Sequence, residues 1–307
     1  MENNIYDLAI LGAGPAGICA AIYATRAKLN TIWLDRKFVQ GGQIVDTYEV
    51  DNYPGLPGIT GLDLGEAMAG HAEKLGLKPK REPVLSVADE GEIKVIRTKK
   101  NEYHAKAVII ACGATHRHLG IPGEEELGGM GVSYCATCDA AFFQEGTVAV
   151  VGGGNVAVED AILLSRTCKK VYLVHRRDEL RAEKILQDSL FGCHNVELVW
   201  DSVPVSVEGE DKVTALKVRN VKTDEEKEIP VDGVFIAVGI VPGSGKFKDL
   251  VKMDESGYII AGEDGVTSTP GIFAAGDIRT KNLRQVVTAV ADGANAVASV
   301  QRYLMEY

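Results

Sequence analysis

Tyr6-Asp7-Leu8-Ala9-Ile10-Leu11-Gly12-Ala13-Gly14-Pro15-Ala16-Gly17 decides the fold of this 307-residue chain. Residues 6–11 are an apolar strand, and the small and apolar residues after the glycines (Ile18, Ala21, Ile22) continue as a helix. This is G-x-G-x-x-G in its required setting of strand, turn and helix. Gly12 makes the turn, Gly14 lets the backbone approach a pyrophosphate, and Gly17 lets the helix pack on the strand. The helix start then offers free N–H groups and the positive end of its dipole to phosphate. The next strand, 30–34, ends in Asp35, about twenty residues on, where an acid accepts hydrogen bonds from a ribose diol. The bland alternative is a Gly-rich βα turn with no ligand.

The same pattern returns further along. Residues 147–151 are a second strand, followed by Gly152-Gly153-Gly154-Asn155-Val156-Ala157 and a helix to about Thr167. Two dinucleotide-binding βαβ units imply two dinucleotides, or one plus a decayed copy. The second unit's next strand, 170–174, ends in His175-Arg176-Arg177, with Arg181 one helical turn further. An acid there favours the free 2′-hydroxyl of NAD, whereas arginines favour the 2′-phosphate of NADP. Guanidinium forks bind phosphate bidentately. A solvated basic helix start is the competing reading.

Between the two units lies Cys135-Ala136-Thr137-Cys138-Asp139. Two cysteines at this spacing close into a small reducible disulfide, one thiol with a lowered pKa attacks other disulfides, and the acid handles a proton. The same spacing also makes half of a zinc site. The remaining cysteines, Cys19, Cys112, Cys168 and Cys193, offer no second pair, so spacing favours redox over metal.

Other segments read more plainly. Gly41-Gly42-Gln43 and Tyr53-Pro54-Gly55 belong to a long turn-rich segment that wraps a cofactor or is a surface loop. Residues 61–76 are a helix with Leu64, Met68, His71 and Leu75 on its apolar face, His71 being a core or boundary histidine. Residues 79–106 are a β-meander with a tip at Asp89-Glu90-Gly91. Residues 107–111 are a buried strand ending at Cys112-Gly113. Thr115-His116-Arg117-His118 reads as a polar connection rather than a metal site, with a domain boundary before Pro122-Gly123. Residues 196–239 are short strands with a charged hairpin at 223–227. Gly271–Gly276 is a strand ending in Asp277, and 283–304 is a closing helix with Val287, Val290, Ala294, Val297 and Leu304 on one side.

Lys+Arg 33 against Asp+Glu 43 leaves a formal charge of −10, which argues against nucleic acid or an anionic membrane as the main partner. The uncharged run from Leu8 to Thr25 is broken by Gly12, Gly14, Pro15 and Gly17, and reads as strand and turn rather than a signal peptide or a span. The cysteines therefore read as reduced or catalytic thiols of a reducing, cytoplasmic compartment.

Gly12–Gly17, Gly41-Gly42-Gln43, Cys135–Asp139, Gly152–Ala157, His175-Arg176-Arg177 with Arg181, Gly276-Asp277 and Arg284-Gln285 together resemble the low-molecular-weight thioredoxin reductases. These are flavoproteins of the pyridine nucleotide-disulfide oxidoreductase class, and the resemblance runs essentially end to end. It implies an α/β fold of two Rossmann-like dinucleotide-binding domains, each in a three-layer ββα arrangement, the second inserted in the first. Residues 1–113 and 245–307 would form the FAD domain, and 114–244 the NADPH domain with the redox disulfide. It implies FAD contacts from Gly12, Gly14, Pro15, Ala16, Gly17, Asp35, Arg36, Gly41, Gly42, Gln43, Asn52, Gly113, Gly276, Asp277, Arg284 and Gln285. It implies NADPH contacts from Gly152, Gly154, Asn155, Val156, Ala157, His175, Arg176, Arg177 and Arg181, and no metal. Cys138 would lie next to the flavin, Cys135 would attack the disulfide of thioredoxin or a thioredoxin-like protein, and Asp139 would move the proton. The family is homodimeric, and its inserted domain is thought to turn on linkers that here fall near 112–115 and 241–245. The chain departs from the family pattern at Ala140, Val156, Gly243, Trp33 and Asp35. Three rivals stay open: a ferredoxin-dependent reductase, a flavin dithiol oxidase, and a non-catalytic protein with structural zinc at Cys135 and Cys138.

Overall fold

A computed structural model gives the fold and describes residues 5–47 and 49–306. The chain divides into two compact units, Met1–Thr115 with Val241–Tyr307, and His116–Ile240.

In the first unit the strand Ile5–Leu11 lies between Thr31–Asp35 and Glu102–Ile110, parallel to both. Lys80–Arg81 extends one side, and Ile272–Ala274 pairs with the end of Glu102–Ile110. The first half of Glu102–Ile110 instead pairs antiparallel with Ile93–Thr98, which pairs with Val84–Glu90. The meander therefore grows out of a strand of the parallel sheet.

Side chains alternate across this sheet with the strand period of two. Leu8, Ile10, Trp33, Ala107 and Ile109 face the helices Pro15–Arg26, Gly61–Lys74 and Val286–Glu306. Ala9, Leu11, Ile32, Leu34, Val108 and Ile110 face the opposite core, with Val87, Ile96, Phe247 and Ile259. Both faces are buried, which is why these strands read as near-continuous apolar runs.

The second unit repeats the plan. Thr147–Val151 lies between Lys170–Val174 and Gly233–Ile236, all parallel, with Val196–Val199 and Val132–Ser133 at the edges. Val148, Val150, Val171, Leu173 and Phe235 face the helices Asn155–Ser165 and Lys184–Phe191. Ala149, Val151, Val174, Val234 and Ile236 face a three-stranded antiparallel sheet of Ser202–Glu208, Ala215–Asn220 and Glu226–Pro230. Each unit is thus a helical layer, a parallel sheet and an antiparallel layer.

Three sequence expectations need correction. His71 is exposed, and the buried face of its helix is Leu64, Gly65, Ala69 and Ala72. The closing helix starts at Val286 and buries Ala289, Asp292, Gly293, Ala296, Val297 and Val300. Val287 is exposed, and Val290 and Ala294 are only half-buried. The buried face is small because the helix packs closely on Pro15–Arg26: a Cβ at Gly293 would lie 2.2 Å from the Ala16 carbonyl oxygen. Thr115 and His116, read as part of a polar connection over 115–118, lie in a short strand, Ala114–His116, paired with Ile240–Pro242. Among the described residues no helix is long and apolar enough to cross a membrane.

Candidate dinucleotide sites and the redox disulfide

The first glycine turn is built for a close approach. A Cβ at Gly17 would lie 2.0 Å from the Gly12 carbonyl oxygen, so only glycine lets the helix start where it does. That same carbonyl accepts the indole N–H of the buried Trp33 at 2.9 Å. Pro15 opens the helix, Gly14 caps it without a side chain, and no acid stands in its first turn. By contrast Thr60 caps the next helix, its hydroxyl accepting the Asp63 N–H at 3.1 Å. The helix that follows the glycine turn is the one left open, with donors and dipole unclaimed by its own side chains.

The turn-rich segment after Asp35 folds back over this helix start. Gly41 N–H donates to the Ala13 carbonyl at 2.7 Å, and a Cβ at Gly42 would lie 3.0 Å from the Gly14 Cα. Gln43 donates its amide to the Ala114 carbonyl, and Asn52 donates to Gln285 at 3.0 Å. The first two bonds fasten Gly41–Gln43 to the first glycine turn and to Ala114, and the third fastens the later part of the same segment to Gln285. Gly113 stands beside Ala114, and Arg36 extends exposed from the end of the second strand. Burial pushes the Asp35 carboxyl up, against the N–H groups of Arg36 and Lys37, which favour its charge.

After the strand Ile272–Ala274, Asp277 Oδ1 is buried with no hydrogen-bond partner. A buried acceptor without a donor is costly, so this oxygen fits a ligand hydroxyl. Burial pushes Asp277 up, while Lys281 and Arg284 pull it down. Arg284 sits 4.1 Å over the Tyr258 ring. The turn itself is held by a residue the sequence reading missed. Asp292 accepts the Gly276 N–H at 2.8 Å, two bonds from Arg279 at 2.8 and 2.6 Å, and one from Lys281 at 3.0 Å. A lone acid beside Gly293 on a helix otherwise lined with small apolar residues was the available signal. The unpartnered oxygen, the open helix start and the side-chain-free backbone at Gly14 and Gly42 fit the pyrophosphate and sugar hydroxyls of FAD.

The second glycine turn is open. Gly154 caps the helix without a side chain, and Asn155 and Val156 are exposed. Ala157 is fully buried against the strand, the role Gly17 has in the first unit. Arg176, Arg177 and Arg181 are exposed, and among the described residues none of them forms an ion pair. Unclaimed guanidinium groups beside an open helix start suit a dinucleotide with an extra phosphate. His175 differs from its neighbours: it is buried, its Nε2 has no partner, and burial with the three arginines holds its pKa down, keeping it neutral.

Cys135 and Cys138 are joined as a disulfide across the first turn of Ala136–Asp139. Cys135 caps this turn, its sulfur accepting the Cys138 N–H at 3.2 Å. Both cysteines are half-buried. Ser133 donates to Asp139 Oδ2 at 2.5 Å and accepts the Cys135 N–H at 3.1 Å, so one hydroxyl binds the acid to the disulfide turn. Burial raises the Asp139 pKa, and the Ser133 bond only partly opposes it, which is the setting of a proton donor.

The two histidines at 116 and 118 surround Tyr134. His116 stacks on the tyrosine ring at 5.2 Å, and His118 approaches its hydroxyl at 3.0 Å. That hydroxyl donates to the buried Glu124 at 2.7 Å. Among the described residues no three His, Cys, Asp or Glu side chains gather as a metal site.

Residues 6–293 match the pyridine nucleotide-disulphide oxidoreductase family. The chain is 48% identical to a thioredoxin reductase of Listeria innocua over 99% of its length and 96% of that protein's. It is 46% identical to one of Bacillus subtilis, over 99% and 96%. The crystal structure of thioredoxin reductase from Streptococcus pyogenes superimposes with a TM-score of 0.95 at 46% identity, covering 100% of both chains.

Proposed function

The chain belongs to the pyridine nucleotide-disulphide oxidoreductase family, and on that footing we propose that it is an FAD-containing, NADPH-dependent thioredoxin reductase. The observation that carries this reading is the closed Cys135–Cys138 disulfide with a raised-pKa acid on its own turn, in the unit that also holds three unpaired arginines beside a glycine turn. Gly12–Gly17, Asp35, Gly41–Gln43, Asn52, Asp277 and Gln285 would hold FAD. Arg176, Arg177 and Arg181 would hold the 2′-phosphate of NADPH. The chemistry FAD supplies when bound is acceptance of a hydride from NADPH and return of two electrons to a disulfide.

The remaining steps belong to the chain's own residues. Reduction opens the Cys135–Cys138 bond and leaves two thiols. Cys135, as thiolate, attacks one sulfur of the partner disulfide and forms a mixed disulfide, and the partner's second sulfur leaves. Asp139 holds the proton that the leaving sulfur takes up. Cys138 then attacks the Cys135 sulfur, re-forms the internal disulfide and frees the partner as a dithiol. Thioredoxin or a thioredoxin-like protein is the proposed partner, and the proposed setting is a cytoplasmic homodimer.

The test is anaerobic mixing of the purified yellow protein with NADPH and, separately, NADH while the flavin band is followed. Rapid bleaching by NADPH with much weaker bleaching by NADH is expected. Bleaching only by reduced ferredoxin or an added dithiol would replace this reading with one of the flavin rivals. Cys138→Ser is expected to keep flavin bleaching and lose thioredoxin reduction. Ser133→Ala removes the bond that favours ionised Asp139. Its pKa should therefore rise further, and the high-pH limb of thioredoxin reduction should move to higher pH.

A further inference from the structure

The segment carrying the three arginines is fastened to the second glycine turn at several points. The His175 ring fills the space over Gly153: a Cβ there would lie 2.2 Å from the imidazole. Arg181 N–H donates to the Gly153 carbonyl at 2.8 Å. Gln187, buried, donates to the Ala182 carbonyl at 2.7 Å and fixes the segment from beneath. The last fastening is reciprocal. Asn155 accepts the Glu183 N–H at 2.9 Å and donates its own amide to Glu183 Oε1 at 3.2 Å.

The Asn155–Glu183 pair is not explained by packing, because both residues are exposed. A carboxylate two residues from Arg181, near where a phosphate is to be held, is by itself unfavourable electrostatically. Its bond to Asn155 turns it toward the start of Asn155–Ser165, where a helix dipole favours negative charge. Asn155 is the first residue of the helix expected to receive the pyrophosphate, and Glu183 directly precedes the helix Lys184–Phe191. The pair therefore joins the pyrophosphate end of the site to the arginine end.

We propose that Asn155 and Glu183 form a clasp that holds Arg181, and with it Arg176 and Arg177, in register with the glycine turn, and so sets the preference for a 2′-phosphorylated nucleotide. The inference rests on reading this unit as the NADPH site. Glu183 and Asn155 are positioning residues here, acting through the arginines.

The experiment measures binding of 2′,5′-ADP and of 5′-AMP to the FAD-loaded protein by calorimetry. The two probes differ only in the 2′-phosphate. Glu183→Ala is expected to weaken 2′,5′-ADP by about fivefold to tenfold, the size of one lost hydrogen bond, and to leave 5′-AMP nearly unchanged. Glu183→Gln keeps the acceptor for Asn155 and is expected to retain wild-type binding of 2′,5′-ADP. Combining Asn155→Ala with Glu183→Ala should weaken 2′,5′-ADP no further than the worse single variant, as for partners in one interaction. Tighter 2′,5′-ADP binding by Glu183→Ala would show that the carboxylate acts by repulsion and would overturn the clasp. Equal loss of both probes would overturn it too, by assigning the pair to the nucleotide in general. A wild-type protein that binds the two probes equally would overturn the NADPH reading itself and the clasp with it.

Discussion

The two glycine turns share strand, helix and three-layer setting, yet one is closed and the other open. Over the first, Gly41–Gln43 folds back within van der Waals reach of Gly14, and Asn52 ties the same segment to Gln285. Over the second, the His175 ring covers Gly153, but among the described residues nothing stands within 4 Å of where a Gly154 Cβ would be, and Asn155 and Val156 are exposed at the helix start. The first turn ends its second strand in a half-buried acid, the second in exposed arginines. The anchoring differs in kind as well. Asp292, Arg279 and Lys281 lock the Gly276–Asp277 turn with buried charges, whereas an exposed pair, Asn155 and Glu183, fastens the arginine segment. One architecture thus suits both a nucleotide that stays and one that must come and go. The difference lies in the loops and charges added to the common frame.

Removing the buried lock is expected to have the largest effect. Asp292→Asn keeps an acceptor for Gly276 N–H but takes from the buried Arg279 and Lys281 the carboxylate they are bonded to. Breaking such a pair costs about 3–5 kcal/mol. The expected result is a large fall in thermal midpoint and loss of FAD during purification. Among the described residues the second unit has no ion pair with both partners buried. A variant that keeps its flavin and midpoint would remove the contrast between a charge-locked and an open site.

Next is Gly17→Ala, which forces a methyl against the Gly12 carbonyl and should cost about 1–3 kcal/mol as overpacking does. Its counterpart, Ala157→Gly, adds backbone freedom to a helix and removes one buried methyl, and should cost about 1–2 kcal/mol. Comparing their midpoints measures how differently the two copies tolerate change at the same motif position. Equal losses would mean that the closeness of the first turn has no energetic consequence.

What could be read ahead follows this same division. Sheets buried on both faces leave apolar runs, and each run ends in glycines whose spacing is set by backbone contact, so both frames were legible from 6–17 and 147–157. The closing helix was not. Its valines at 287 and 290 suggested the inward face, but close packing against Ala16 selects Ala289, Gly293 and Ala296, and Asp292 is buried because its partners come from 276–281. That pairing is tertiary and leaves no periodic trace. His71 fell on the expected apolar stripe of its helix and is exposed, because the sheet is met by Ala69 and Ala72. The arginines were legible by position; the bonds that hold them were not, because Asn155 and Glu183 stand 28 residues apart.

Arg176→Ala and Arg177→Ala should sharpen the contrast from the open side. Each removes a charge-assisted contact of about 1.5 kcal/mol or more, so the KM for NADPH should rise at least about tenfold per variant. KM for NADH and the affinity for FAD should stay near wild type. A parallel rise for NADH would show that these side chains serve the whole nucleotide rather than its 2′-phosphate.

The smallest expected difference is in pH dependence, and it has opposite origins at the two sites. Asp35 and Asp277 are both pushed up by burial, so without ligand they keep their protons to a higher pH than an ordinary carboxyl of about 4. A sugar hydroxyl that donates to either acid favours the ionised form. FAD binding therefore expels protons, and its affinity should be full above the raised values and fall as pH drops through them. At the other site arginine stays charged throughout, and the titrating group is on the ligand, a 2′-phosphate with a second pKa of about 6. Titrating flavin-free protein with FAD, and loaded protein with 2′,5′-ADP, across mildly acid to neutral pH separates the two. Asp277→Asn should make the FAD curve shallower, leaving the part due to Asp35, and leave the 2′,5′-ADP curve alone. If the FAD curve keeps its full slope in that variant, the unpartnered Asp277 oxygen is not where the flavin's hydroxyl binds, and the pH dependence of the closed site comes from Asp35.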